Sequence, residues 1–134
     1  LVADLEQGGH DVVICNFANA DMVGHTGDLD ATVTAVQTLD RCLGRIMTAA
    51  HGARATVIIT ADHGNAEQMW DAARNGPHTA HTTNPVPVVL IGPDVRADMR
   101  LRDGALRDVA PTMLGVLGLE PSPEMTGRDL RDFI

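Results

Sequence analysis

Aromatic side chains are almost missing from this sequence, which has one Trp, two Phe and no Tyr. Stacking platforms for bases or sugars need such rings, so their scarcity argues against that kind of surface. Lysine is absent too. The ten basic residues are all Arg, set against eighteen acids, and the formal charge is -8. Such a chain offers no cationic face to displace counterions, which argues against nucleic acid as a partner. The only cysteines, Cys15 and Cys42, fit neither a disulfide framework nor a Cys-x-x-Cys knuckle, and both read as reduced core thiols. No run approaches the ~20 apolar residues of a membrane span. The best, residues 86–91, is only strand length. The chain starts at Leu1 without a basic-then-apolar leader, a sign that counts for less in a chain starting in mid-helix; the expected location is cytoplasmic.

What is present suits one globular domain: 134 residues, 44% hydrophobic and 21% charged. Residues 1–7 read as the end of a helix stopped by Gly8 and Gly9. Three apolar, β-branched runs read as buried strands, at residues 11–17 (DVVICNF), 56–60 (TVIIT) and 85–91 (PVPVVLI). From Leu29 the apolar positions recur in steps of three and four through Val33, Val36, Leu39, Leu43 and Ile46 or Met47. That is one face of a helix running from an Asp28 cap to Gly52. A short helix through Trp70 and a second long one over residues 108–117 complete the prediction, with a turn at residues 125–127 in the tail 121–134. Strands alternating with helices predict an α/β layered sandwich with a mostly parallel sheet, whose ligands bind beyond the carboxyl ends of the strands.

The polar loops beside those strands carry the chemistry. After the first strand come Asp21 and His25, four residues apart, a spacing that lets both converge on one cation in a turn or a helical coil. After the second come the neighbours Asp62 and His63, followed by Gly64, able to serve one ion or two at a sharp bend. The third loop holds His78 and His81. Each piece alone also fits a bland role: a solvating loop carboxylate, a turn with a helix cap, a surface imidazole. Four of the six histidines fall in these loops, two of them paired with Asp, and jointly they point to a metal site. His10 and His51, beside glycines at element ends, read as surface residues, and Glu67 and Gln68 as the start of the short helix. Carboxylate and imidazole without thiolate suit Mn²⁺ or Zn²⁺. Five or six such ligands exceed what one tetrahedral ion takes and suit a two-metal phosphoryl-transfer site, with ions ~3.5–4 Å apart.

At these residues the sequence resembles the C-terminal part of the cofactor-independent (2,3-bisphosphoglycerate-independent) phosphoglycerate mutases of the alkaline phosphatase superfamily. The stretches NFANADMVGHTGD, ITADHGNAEQM, HTAHTTNPVPVVLIG and LRDVAPTMLGVLGLEPSPEMTGRDL carry the resemblance and cover most of the chain from Asn16 onward, in family order. Asp-His-Gly is shared across the superfamily, whereas the NADMVGHTG and AHTTNPVP blocks together separate this family from alkaline phosphatases, sulfatases and phosphopentomutases.

The resemblance implies interconversion of 3-phosphoglycerate and 2-phosphoglycerate through a phosphoserine, with two Mn²⁺ ions (Zn²⁺ or Co²⁺ as alternatives). It implies that Asp21, His25 and His81 bind one ion and that Asp62 and His63 bind the second. His81 is preferred to His78 because it holds the His-Thr-Thr-Asn-Pro position. The ions would orient the phosphate and activate the serine hydroxyl. Ligation needs ionised Asp and neutral His, so affinity should fall as pH drops through the histidine range. The family's nucleophilic serine, a further Asp ligand and the inserted substrate domain lie upstream of the matched stretches, and Ser122, in a Pro-Ser-Pro tail, is the only serine here. The expectation is therefore an incomplete phosphatase-like domain, inactive by itself, meeting phosphoglycerate only within a full-length enzyme. A free-standing metal-binding module or a metal-dependent phosphohydrolase are the alternatives. A sheet lacking neighbouring strands should also expose an edge open to association.

Overall fold

The computed structural model describes residues 1–96 and 98–132, which form two compact units. Of these described residues, the first unit comprises 1–55 and 61–87, the second 56–60, 88–96 and 98–132. The last two positions of the predicted tail lie outside the described residues.

In the first unit, helices α1 (Val2–Gln7) and α2 (Asn19–Gly24) pack on the long helix α3 (Leu29–Gly52). The predicted α3 forms between its predicted ends: the Asp28 carboxylate accepts the Ala31 N–H at 2.9 Å, satisfying one of the orphan donors of the first turn. Its apolar stripe is only half covered. Ile46, Ala49 and Ala50 are buried, whereas Leu29, Val33 and Val36 remain exposed. Residues 19–24, expected as loop, coil into α2, with the Asp21 carboxylate in the first turn where the helix dipole favours it.

The predicted strand at residues 11–17 does not form. A strand needs a neighbour's N–H and C=O groups, and no strand among the described residues pairs with this segment. Its side chains are correspondingly exposed, Ile14 at 80%, and Cys15 with them, so Cys15 is not the core thiol expected; Cys42 is half-buried. The predicted short helix through Trp70 is instead a hairpin of β2 (Trp70–Asp71) and β3 (Gly76–Pro77). The Asp71 carboxylate accepts the Ala73 and Arg74 N–H groups, and Asn75 takes a left-handed φ of 49°, so turn chemistry overrides helix propensity there.

In the second unit β1 (Val57–Thr60) pairs with β4 (Val88–Ile91), in the register Val57↔Ile91 to Thr60↔Val88. The pair is antiparallel, and every sheet among the described residues is a two-stranded antiparallel one, so the parallel sheet expected from the sequence is not found. The reason lies in the connection. Parallel pairing needs a crossover element, and residues 61–87 contain a loop and a hairpin but no helix.

A 3₁₀ turn (Leu106–Asp108) leads into α4 (Val109–Val116), with Pro111 accommodated in its first turn, and β5 (Arg100–Leu101) pairs with β6 (Arg131–Asp132). Buried Asp108 accepts the N–H groups of Ala105 (2.7 Å) and Arg128 (2.9 Å), and buried Thr112 accepts that of Leu130. These bonds pin the tail to α4. The turn within the tail falls at residues 122–125, where the Met125 N–H meets the Ser122 carbonyl, rather than at 125–127. Among the described residues no helix is long and apolar enough to cross a membrane.

Candidate metal centre

All five predicted ligands lie in the first unit. The helical coil of α2 places Asp21 and His25 one turn apart on one face, with His25 Nε2 3.2 Å from Asp21 Oδ1. The hairpin carries the third ligand in from the far side. His78 N–H reaches the Met69 carbonyl beyond the β2–β3 ladder, and Thr82 N–H reaches the Gly64 carbonyl at 2.8 Å, so the intervening segment is fixed at both ends. Gly27, at φ 71°, lets the α2–α3 turn approach Pro77 more closely than a Cβ would allow. His81 Nε2 thereby comes to 3.2 Å from Asp21 Oδ1 and 3.1 Å from His25 Nε2.

These three donor atoms form a triangle of the size one ion requires. Ligands about 2.1 Å from a common tetrahedral or octahedral ion stand roughly 3.0–3.4 Å apart. The tautomer fits as well. His25 Nδ1 lies 2.7 Å from the Thr79 carbonyl, which can only accept, so Nδ1 carries the hydrogen and a neutral ring turns its Nε2 lone pair to the cluster. Two imidazole nitrogens and a carboxylate oxygen are a donor set for Mn²⁺, Zn²⁺ or Co²⁺.

His63 is the next layer. Its ring stacks on His81 with centroids 3.7 Å apart, and its Nδ1 lies 4.0 Å from Asp21 Oδ1. Asp62 stays outside the triangle. Its side chain is 87% exposed and its carboxylate is 3.7 Å from His63 Nε2, so these two make a separate, open pair of donors. His78 is not in the cluster, and its Nδ1 is buried without a hydrogen-bond partner. His10 and His51 are exposed, as expected.

Two participants escaped the sequence reading. Asn65, 5% exposed, donates from Nδ2 to Asp21 Oδ1 at 2.7 Å, while its Oδ1 sits against Gly24, where a Cβ would collide with it. Burial works to raise the Asp21 pKa. The Asn65 donor, with coulombic attraction to the imidazolium forms of His25, His81 and His63, outweighs it and holds the carboxyl of the metal-free chain below its ordinary range. Glu67, read as a helix start, begins no helix; it accepts hydrogen bonds from Asn65 N–H (2.6 Å), the Thr82 hydroxyl and Asn84 Nδ2 (2.9 Å). The Thr82 hydroxyl is the main reason its pKa lies below the usual value; burial opposes, and its own backbone N–H, Asn84 and Asn65 assist. The available signal was the cluster of amide and hydroxyl side chains flanking the predicted ligands.

Comparison with known proteins gives this geometry a family. The Metalloenzyme superfamily matches residues 1–121. The chain belongs to that superfamily. Within it, the chain is 52% identical to the 2,3-bisphosphoglycerate-independent phosphoglycerate mutase of Nostoc punctiforme, matching 96% of the chain and 25% of the relative. The enzymes of the same description from Coxiella burnetii (52% identical; 97% and 25% covered) and Cereibacter sphaeroides (55% identical; 91% and 24%) are similarly close. The crystal structure of Leishmania mexicana phosphoglycerate mutase at low cobalt concentration superposes with a TM-score of 0.86 at 34% identity, over 99% of this chain and 27% of that one. The resemblance read from the sequence motifs is thus upheld, and the chain spans about a quarter of the length of the curated relatives it matches.

Proposed function

We propose that this chain supplies the first metal centre of a phosphoglycerate mutase, through Asp21, His25 and His81, and half of a second through Asp62 and His63. The single observation that carries the reading is the donor triangle of 3.1–3.2 Å edges with the His25 tautomer fixed by Thr79. Divalent ions, Mn²⁺ first and Zn²⁺ or Co²⁺ as alternatives, would supply Lewis-acid stabilisation of a phosphoryl group. The chain's own part is to hold that charge in place: Asn65 orients the Asp21 carboxylate, Thr79 fixes the His25 tautomer and His63 braces the His81 ring.

The full reaction, interconversion of 3-phosphoglycerate and 2-phosphoglycerate in the cytoplasm through a phosphoserine, needs a nucleophile. Ser122, the sole serine, stands in a Pro-Ser-Pro stretch and not in any of the loops that carry the metal ligands. The chain by itself is therefore inactive in this reading. The exposed apolar segment 11–17 and the bare half of α3 are where the remainder of a mutase, or failing it a second copy, would pack. The test is a mutase assay with Mn²⁺. The isolated chain should give no turnover, and an intact mutase carrying this segment should lose turnover on His81→Ala. Turnover by the isolated chain, or full activity of the His81→Ala enzyme, would overturn the proposal.

A further inference from the structure

The Asp62–His63 loop and the segment bearing His81 are far apart in sequence, yet the His63 and His81 rings stack. We propose that Glu67 is the positioning residue that ties these two segments together and thereby sets the spacing of the donors around Asp21. The inference rests on reading that cluster as a metal centre.

One carboxylate makes both attachments. Its Oε2 accepts the Asn65 N–H at 2.6 Å, on the loop that holds His63. Its Oε1 accepts the Thr82 hydroxyl and, at 2.9 Å, Asn84 Nδ2, on the segment that follows His81. The Thr82 N–H to Gly64 carbonyl bond closes the same junction from the backbone. Gly64 leaves room for it, since a Cβ there would collide with both Thr82 Oγ1 and Glu67 Oε1. Beyond Asn65 the chain of contacts continues through Nδ2 to Asp21 Oδ1. Glu67 thus reaches Asp21 by way of Asn65 and His81 by way of Thr82. Both of its oxygens are engaged by donors, which favours a positioning role over direct ligation, because an ion would have to displace those donors.

Charge and shape both matter at this junction. A glutamine would keep one acceptor oxygen and turn an NH₂ toward either the Asn65 N–H or the Thr82 and Asn84 donors, opposing donor to donor. Partners that orient metal ligands are typically worth about 10–100-fold in affinity.

The test is a Co²⁺ titration of the whole chain, followed by the visible absorption of the bound ion. Glu67→Gln and Thr82→Val should each weaken Co²⁺ binding about tenfold or more and shift the band, because the donor geometry changes. Thr82→Ser, which keeps the hydroxyl, should behave as the parent chain. Glu67→Gln combined with Thr82→Val should be less than additive, since both break one link. If Glu67→Gln fails to fold, Thr82→Val against Thr82→Ser carries the test. Co²⁺ binding with unchanged affinity and spectrum in Glu67→Gln and Thr82→Val would overturn the Glu67 proposal alone. Absence of Co²⁺ binding by the parent chain would overturn the metal-centre reading and this inference with it.

Discussion

Replacing Asn65 with alanine separates the orientation of a ligand from the stability of the fold. The side chain makes one good hydrogen bond, Nδ2 to Asp21 Oδ1 at 2.7 Å; its approach to the Asp21 carbonyl, at 3.4 Å, is at the limit of a bond. Its Oδ1 is buried and has no hydrogen-bond partner. Truncation therefore removes a hydrogen bond to a carboxylate, worth about 1.5–3 kcal/mol, and relieves an unpartnered buried oxygen whose penalty is of similar size, about 1–3 kcal/mol. The net change in folding stability should stay within roughly 1 kcal/mol. Metal affinity should respond quite differently. Asp21 is the vertex from which both imidazoles are measured, and freeing its carboxylate should cost about 10–100-fold in affinity. Isothermal titration with Mn²⁺ reads the second quantity and urea unfolding the first. Affinity within twofold of the parent would refute the role given to Asn65, and so would a loss of affinity explained wholly by unfolding.

Gly24→Ala should weaken metal binding in the same direction, because its methyl group would displace the Asn65 amide, even though alanine is the better helix former by about 1 kcal/mol. The same titration checks it. Asp28→Ala should lower stability by about 1 kcal/mol through loss of the α3 cap while leaving Mn²⁺ affinity unchanged, which urea unfolding and titration together would show. For Asp108, the N–H donors of Ala105 and Arg128 come first in holding its pKa below the usual carboxylate value. The folded chain thus releases the proton more readily than the unfolded one, so this contribution is present above the unfolded-state value of about 3.9 and disappears as pH falls through the lower folded-state value. Urea midpoints followed downward from pH 5 should drop less steeply in Asp108→Asn than in the parent.

How much of this was legible depended on whether the information was local. Helix α3 was readable because its cap and its three-and-four periodicity lie within one segment, and Asp21 and His25 because helical spacing brings residues four apart together. His81 was selected over His78 by its motif, and the structure places His81, not His78, beside Asp21. Strand partners were not readable. The 11–17 run has strand composition but no partner strand among the described residues, and β1 and β4 pair antiparallel because the connection between them contains no crossover helix. The polar links of Asn65 and Glu67 also escaped. Asn65 is 44 residues from Asp21 and Glu67 is 15 from Thr82, and no periodicity encodes such pairs.

The most direct test of the central claim is the number of Mn²⁺ ions bound tightly per chain, measured by equilibrium dialysis in the parent, in His81→Ala and in Asp62→Ala. One ion is expected in the parent, none in His81→Ala, and one in Asp62→Ala, because Asp62 stands outside the triangle of Asp21, His25 and His81. Tight binding that survives His81→Ala, or that disappears with Asp62→Ala, would contradict that claim.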